Sequence, residues 1–214
     1  MDGNGRWATK RLLPRNAGHK EGIKTMRTVT EHALKMGVPY LSFYAFSTEN
    51  WNRPKEEVDG LISLIKKGLP EVAVEMKKRN VKLVFMGDTS VFGDARDIIL
   101  QAKILTSDCD GGVVNIGLNY GGRAEIITAV NRAIAKGEPV NEATFSSNLY
   151  TACLPDPDVI IRTGGEKRLS NFMLYQAAYA ELFFLDTLWP DFSEADLSTI
   201  LDEFGCRNRR FGGV

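Results

Sequence analysis

Val113-Val-Asn-Ile-Gly-Leu118, then Asn119-Tyr-Gly-Gly-Arg123, then a run in which Ile126, Ile127, Val130 and Ile134 recur at helical spacing: this stretch decides the fold. A short apolar run reads as a strand, the glycine-containing polar cluster as a loop, and the recurrence every three or four residues as one helix face. Working outward, the same alternation repeats. Val81–Met86 is a strand candidate ended by Gly87-Asp88, and residues 92–106 read as a helix. Before it, Val58, Ile62, Ile65, Leu69, Val72 and Met76 predict a long helix, in which Pro70 removes a donor and crowds the preceding turn, so a kink or two helices are expected. Residues 40–46 read as a strand buried on both faces. Ile23, Met26, Val29 and Ala33 make one face of a helix over 19–36, stopped by Gly37. Residues 8–18 carry three cations and no acid and read as a loop.

Downstream, 149–157 is irregular, 159–161 a very short strand, 172–179 a short helix, 181–185 a last strand and 196–204 a last helix. The alternation predicts an α/β fold: a single domain over 1–214 with a mostly parallel central sheet flanked by helices. In such sheets ligands bind outside the carboxyl ends of the strands, where the polar clusters after Phe46, Leu118 and Ile161 fall.

Composition removes several function classes. Lys+Arg and Asp+Glu both number 27, so no global field recommends nucleic acid or an anionic surface. Cys109, Cys153 and Cys206 are odd in number and lack Cys-x-x-Cys spacing, which speaks for a reducing compartment and against disulfides or zinc; they read as buried small residues. No run approaches the roughly 18 apolar residues of a membrane span, and no signal pattern is present, so a cytoplasmic protein is expected.

Met1-Asp2-Gly3-Asn4-Gly5-Arg6-Trp7 mixes two glycines with a carboxylate, an amide, a guanidinium and an indole, a set suited to an anion held with a metal. As an EF-hand loop it fails in both registers, since Leu13 or Arg11 would stand where the closing Glu belongs. It has neither the Gly-Lys-Ser/Thr of a Walker loop nor the three spaced glycines of a dinucleotide fingerprint. A plain surface turn is the structural alternative. A glycine-rich anion loop normally hangs from a strand, and only Met1 precedes Asp2, so a first strand is expected to be missing from the numbered chain.

Arg6, Arg15, Arg53, Arg162, Arg168 and Arg210 fall in predicted loops or beside glycines, and guanidinium forks match phosphate oxygens. The two histidines, His19 and His32, leave little room for a His-based triad or metal centre. Asp2 and Glu181 are hard ligands of the kind magnesium takes together with substrate phosphates. Trp7, Phe43, Tyr44, Phe46, Trp51 and Phe92 add aromatic surface near the same edge. An anionic head pocket with an apolar slot suits an isoprenoid diphosphate, although the chain has no Asp-Asp pair and so lacks the all-helical prenyl synthases' motif.

Asp2-Gly-Asn-Gly-Arg-Trp-Ala8, Gly18-His19, Tyr44-Ala-Phe-Ser-Thr-Glu-Asn-Trp-Asn-Arg-Pro54, Asn119-Tyr-Gly-Gly-Arg123, Asp156-Pro-Asp-Val-Ile-Ile-Arg-Thr-Gly-Gly165, Arg168-Leu-Ser-Asn171, Tyr179-Ala-Glu181, Trp189-Pro-Asp-Phe192 and Arg209-Arg-Phe-Gly-Gly213 together resemble the cis-prenyltransferases, most closely bacterial undecaprenyl diphosphate synthases. The resemblance runs from end to end with the blocks in order. The family has a leader and an apolar strand before the first block. The resemblance implies magnesium-dependent, repeated cis condensation of isopentenyl diphosphate onto an allylic diphosphate, usually farnesyl diphosphate. The implied product is a long-chain polyprenyl diphosphate such as undecaprenyl diphosphate, the lipid carrier precursor of cell-wall synthesis. It further implies an apolar tunnel and a homodimer whose Arg210-Phe-Gly212 tail reaches the partner's site. Cytoplasmic placement, peripheral at the inner membrane face where product is delivered, also follows.

By position, Asp2 would bind magnesium and assist departure of the allylic diphosphate, which Gly3, Asn4, Gly5, Arg6, Arg15 and His19 would hold. Trp7, Ser47, Thr48, Glu49, Trp51 and Arg53 would line the region where the substrates meet, with Asn50 taking part in proton removal. Arg162, Arg168, Leu169 and Ser170 would bind isopentenyl diphosphate, and Glu181 would be the second metal ligand. Two rival readings are an accessory subunit, against which Asp2, Arg6, Arg162, Arg168 and Ser170 all speak, and a nucleotide- or phosphopeptide-binding α/β module.

Overall fold

A computed structural model describes residues 1–207. In chain order the helices are α1 (Asn4–Lys10), α2 (Arg15–Lys35), α3 (Lys55–Lys78), α4 (Ala95–Leu105), α5 (Gly122–Ala135), α6 (Glu142–Ser147) and α7 (Glu194–Cys206). The strands are β1 (Tyr40–Ser47), β2 (Val81–Met86), β3 (Gly112–Tyr120), β4 (Val159–Arg162) and β5 (Glu181–Phe184). The expected 209–213 tail, with Arg210-Phe-Gly212, lies outside the described residues. Contacts divide the chain into two compact units.

The second unit is Gly37–Pro155 with Ser170–Met173. Its sheet has the order β1-β3-β2 and both pairings are parallel, as the alternation predicts. β3 lies in the middle and is buried along nearly its whole length, which is why Val113–Leu118 reads as continuous apolar sequence. β1 is an edge strand, buried only at Phe43 and Phe46, so the expectation of burial on both faces is corrected. Its register against β3 shifts after Tyr44 and again after Phe46, and such bulges re-aim the chain where a sheet edge meets a site. α3 and α4 pack together and both cover β2.

Pro70 does not divide α3, which runs unbroken from Lys55 to Lys78. One absent N–H removes a single rung, while Leu69, Val72, Ala73 and Met76 are buried around it and keep both halves seated. In α5 the predicted face holds only in part: Ile126 and Val130 are half-buried, Ile127 and Ile134 are more than 60% exposed, and the fully buried positions are Gly122, Glu125, Ala129 and Ala133. Small residues face inward there because the neighbouring elements lie close. A buried cluster of Met86, Tyr120 and Met173, with Tyr44, Tyr150 and Phe172 against it, closes this unit's core.

The first unit is Met1–Met36, Asp156–Leu169 and the chain from Leu174 onward. β4 and β5 pair in parallel, Val159 opposite Glu181 and Arg162 opposite Phe184. Residues 8–18 are not one loop, since α1 ends at Lys10 and α2 starts at Arg15. Gly3, at a φ of 105°, turns the chain into α1, and the Trp7 N–H donates to the Gly3 carbonyl at 2.8 Å. The cations of that stretch point outward while Ala8 is fully buried. α1 can lie on α2 because Gly18 has no side chain: a Cβ there would sit 1.9 Å from the Asn4 carbonyl oxygen. Between 172 and 179 only a 3-10 turn, Gln176–Tyr179, forms instead of the expected helix. Cys109 is buried, but Cys153 and Cys206 are exposed, which corrects the reading of all three as buried. Among the described residues no helix is long and apolar enough to cross a membrane.

Candidate active site

In the first unit the chain around Asp2 is fixed before its carboxylate is used. The Asp2 N–H donates to Thr163 Oγ1 at 3.0 Å, the Thr163 hydroxyl donates to the Asp2 carbonyl at 2.9 Å, and the Trp189 N–H donates to the same carbonyl at 2.9 Å. Thr163 follows β4 directly, so the strand end sets where the Asp2 turn sits. Two guanidinium groups then converge on one carboxylate: Arg162 Nη2 at 3.0 Å and Arg6 Nη2 at 3.4 Å. Burial alone would push the Asp2 carboxyl up; the Arg162 hydrogen bond and charge, with Arg6 behind them, outweigh it and hold the group below its ordinary value. Asp2 is therefore ionised at neutral pH. Two cations against one anion leave the cluster electropositive.

The glycines make room for these cations. A Cβ on Gly5 would lie 2.7 Å from the Arg15 guanidinium, and one on Gly164 would lie 2.6 Å from Arg6 Nη2. Gly164, at a φ of 90°, also needs backbone freedom that other residues lack. Asn4 is used structurally, its Nδ2 donating to the Met1 carbonyl at 3.1 Å and its side chain packed against Gly22. His19 lies one turn after Arg15 on the same side of α2. Arg162 also donates from Nη1 to the Arg168 carbonyl at 2.5 Å, and Arg168 pairs with Glu166 at 2.6 Å. Leu169 is half-buried beside it. One guanidinium thus ties the Asp2 turn to the Arg168 loop.

Two expected residues have other partners. The Trp7 indole N–H donates to Asp191 at 2.6 Å, with Arg11 4.2 Å over the ring and 3.2 Å from the same carboxylate. Glu181 pairs with Arg207 at 2.5 Å. Among the described residues no group of three or more His, Cys, Asp or Glu side chains could hold a metal. The described residues therefore offer no cage of their own. A half-exposed, ionised Asp2 instead fits a hard cation whose other ligands come from a phosphate.

In the second unit the candidate side chains stand at or just beyond the carboxyl ends of the three strands. Ser47 ends β1 and leads into a 3-10 turn, Thr48–Asn52, closed by the Ser47 N–H donating to Asn50 Oδ1 at 3.0 Å. The Asn50 amide oxygen is thus already an acceptor within the turn. The Trp51 indole N–H donates to Asn119 Oδ1 at 2.8 Å, and Asn119 Nδ2 donates to the Asp88 carbonyl at 2.9 Å. That chain links the ends of β1, β3 and β2. Phe46 and Phe92 hold the Trp51 ring at 5.0 and 5.7 Å between centroids. Arg53 pairs with Glu57 at 2.9 Å, one turn along α3.

Glu49 accepts from the Thr48 hydroxyl at 3.1 Å and from Asn171 Nδ2 at 2.7 Å. Burial would raise its carboxyl, but the Asn171 bond and the local donors outweigh that and hold it below its usual value. Ser170 is exposed, at a φ of 48°, and Asn171 follows at 66°. Tyr44 stacks on Phe172 at 4.8 Å and donates to the Tyr120 carbonyl at 3.0 Å, its own hydroxyl held protonated by burial and by Glu49. Tyr120 in turn donates to the buried Glu125 at 2.5 Å. Sequence reasoning missed the supports Thr163, Gly164, Asn171 and Glu125. All four lie in or beside the blocks quoted above, yet nothing in residue type separates a supporting hydroxyl or amide from a ligand-binding one.

A family model described as putative undecaprenyl diphosphate synthase matches residues 1–212. An isoprenyl transferase of Geobacillus kaustophilus is 49% identical over 222 residues, covering 100% of this chain and 86% of that protein, and one of Bacillus subtilis is 47% identical over 222 residues, covering 100% and 85%. A solved structure of a probable undecaprenyl diphosphate synthase from Campylobacter jejuni superposes with a TM-score of 0.84 at 39% identity over 90% of this chain and 92% of that one. Lavandulyl diphosphate synthase from Lavandula x intermedia, solved with dimethylallyl diphosphate, superposes at 0.94 with 32% identity over 99% and 95%.

Proposed function

The chain belongs to the undecaprenyl diphosphate synthase family of prenyltransferases, and on that premise we propose that it condenses isopentenyl diphosphate repeatedly, in cis geometry, onto an allylic diphosphate such as farnesyl diphosphate. The observation that carries the reading is the convergence of Arg6 and Arg162 on Asp2 while Arg15 lies over Gly5. A cluster with surplus cations beside bare backbone is built to take a diphosphate.

In this reading Gly3, Asn4, Gly5, Arg6, Arg15 and His19 hold the allylic diphosphate, and their fixed charges stabilise the charge it gains as its C–O bond breaks. Such preorganised donors are worth roughly 10²–10³ in rate each. Arg162, Arg168, Leu169 and Ser170 bind isopentenyl diphosphate; its double bond attacks the allylic carbon, and a proton then leaves. With its amide oxygen engaged by the Ser47 N–H, Asn50 orients rather than acts as the base, which leaves the departing diphosphate to take the proton. Trp7, Ser47, Thr48, Glu49, Trp51 and Arg53 line the reacting region. Asp2 and Glu181, together with the diphosphate, would hold magnesium, whose charge would neutralise that of the leaving group. The same reading includes a homodimer in the cytoplasm, peripheral at the inner membrane face, and undecaprenyl diphosphate as the carrier precursor for the cell wall.

The test is incorporation of labelled isopentenyl diphosphate into extractable lipid with farnesyl diphosphate as primer, with magnesium or EDTA, followed by product sizing. Magnesium-dependent growth supports the reading, and Asp2→Ala is expected to remove most of it with the fold intact. Tight binding of ATP in place of farnesyl diphosphate, without chain growth, would replace it with the nucleotide-module reading.

A further inference from the structure

Asn171 makes three hydrogen bonds that no substrate role requires. Its carbonyl accepts from the Gly122 N–H at 2.7 Å and its Oδ1 from the Arg123 N–H at 2.8 Å, so it caps the start of the fourteen-residue helix α5. Its Nδ2 donates to Glu49 Oε1 at 2.7 Å, in the turn that follows β1. One side chain therefore joins the loop after β3 to the turn after β1. The site is shaped for it: a Cβ on Gly121 would meet Asn171 Nδ2 at 2.7 Å and Thr48 Oγ1 at 2.6 Å. The backbone is shaped as well, because Ser170, Asn171 and Met173 all have positive φ, of 48°, 66° and 44°. Three such residues within four positions are costly for side chains other than Asn or Gly and persist only where surrounding bonds hold them.

We propose that Asn171 is a positioning residue that holds Ser170 in its left-handed conformation and locks it to the Glu49 turn, so that this loop is preset for isopentenyl diphosphate. The inference rests on the function assigned above, which places Ser170 against that substrate. The amide of Asn171 fits the task because it offers an acceptor to the Arg123 N–H and a donor to Glu49 from two separate atoms; an ionised Asp has no donor, and a Ser hydroxyl carries both functions on one oxygen of shorter reach. Its side chain also tolerates the left-handed backbone.

Binding of isopentenyl diphosphate and of farnesyl diphosphate is measured by titration calorimetry on the whole protein, together with turnover and thermal melting. Asn171→Gly keeps the backbone conformation and loses both side-chain bonds. It is expected to weaken isopentenyl diphosphate about tenfold or more, the scale of one lost bond to a charged group, while farnesyl diphosphate binding stays within about twofold. Asn171→Asp keeps the cap but sets two carboxylates together and is expected to be worse. Should an Asn171 variant fail to fold, Gly121→Ala, which forces the Asn171 amide away, carries the same expectation. Equal weakening of both substrates, or unchanged isopentenyl diphosphate binding, overturns the proposal alone. A wild type that binds isopentenyl diphosphate without chain growth overturns the assigned function but not this role, and a wild type that binds none overturns both.

Discussion

Replacing Gly18 by alanine separates the positioning of the Asp2 cluster from the stability of the fold. The new Cβ would stand 1.9 Å from the Asn4 carbonyl oxygen, 2.7 Å from its carbon and 3.3 Å from Ala8 Cβ. A carbon–oxygen contact needs about 3.3 Å, so the start of α1 has to withdraw by more than about 1 Å, taking Asn4, Gly5 and Arg6 with it. Overpacking of this kind costs about 1–3 kcal/mol. Alanine at a helical position returns about 1 kcal/mol relative to glycine. The net loss is then at most about 2 kcal/mol, or a melting temperature lower by at most about 8 °C for a chain of this length. Misplacing a catalytic group by about 1 Å is worth about 10² in rate. The expected result is a folded protein with turnover down about a hundredfold, measured by isopentenyl diphosphate incorporation beside a thermal melt. Turnover within about threefold of wild type would refute the argument that the α1–α2 approach sets the anion site.

Leu12 has a φ of 58° and is 96% exposed, so Leu12→Gly removes strain without removing packing. A gain of about 0.5 kcal/mol is expected, left-handed strain of about 1–2 kcal/mol less glycine's entropic penalty, and a lower melting temperature would contradict it. Glu125, 1% exposed, accepts from the Tyr120 hydroxyl and from the Tyr150 N–H at 2.9 Å. Glu125→Leu strands both donors and should cost about 2–4 kcal/mol in urea unfolding, whereas a loss under about 1 kcal/mol would mean that they find other partners. Because the folded Glu49 carboxyl titrates below its ordinary value, the stability it contributes is present above the ordinary carboxylate range and fades as pH falls through the lower folded value. In Asn171→Gly the Glu49 titration, followed by carboxyl NMR, should move up, and an unmoved midpoint would show that the bond does not govern it.

Much of the architecture was legible because apolar spacing is a packing signal. β3, between two other strands, reads as a continuous buried run and is one. The same reasoning held only in part for α5, where Ile126 and Val130 are half-buried but Ile127 and Ile134 are exposed, and the fully buried positions are glycine, alanine and Glu125. Pattern reading weighs bulk, and a tightly packed face selects against it. α1 was hidden for a related reason: Gly3 and Gly5 look like a turn, and the glycine that lets α1 lie against α2, Gly18, sits in the other helix. At the site, residue chemistry brought Asp2, Arg6 and Arg162 forward only as separate candidates, a hard carboxylate and two forks beside glycines; that both guanidinium groups meet the one carboxylate is visible in the structure alone. The orientation of Glu181 toward Arg207 and of Trp7 toward Asp191 depends on partners remote in sequence, which no local pattern encodes.

The two compact units differ in how their chain is supplied. The second is drawn almost wholly from residues 37–155, whereas the first needs residues 1–36, the segment from 156 and the chain beyond 174. During synthesis at roughly 5–20 residues per second, residues 1–36 wait on the order of 10 s before Arg162 and Thr163 are made. For that interval the buried stripe of α2, Met26, Val29 and Ala33, has no α7 to lie against. The Asp2 cluster thus forms only after the β1-β3-β2 sheet has been made, and a nascent chain stalled before residue 156 would carry a formed parallel sheet and an orphaned amphipathic helix, the kind of segment that holdase chaperones bind.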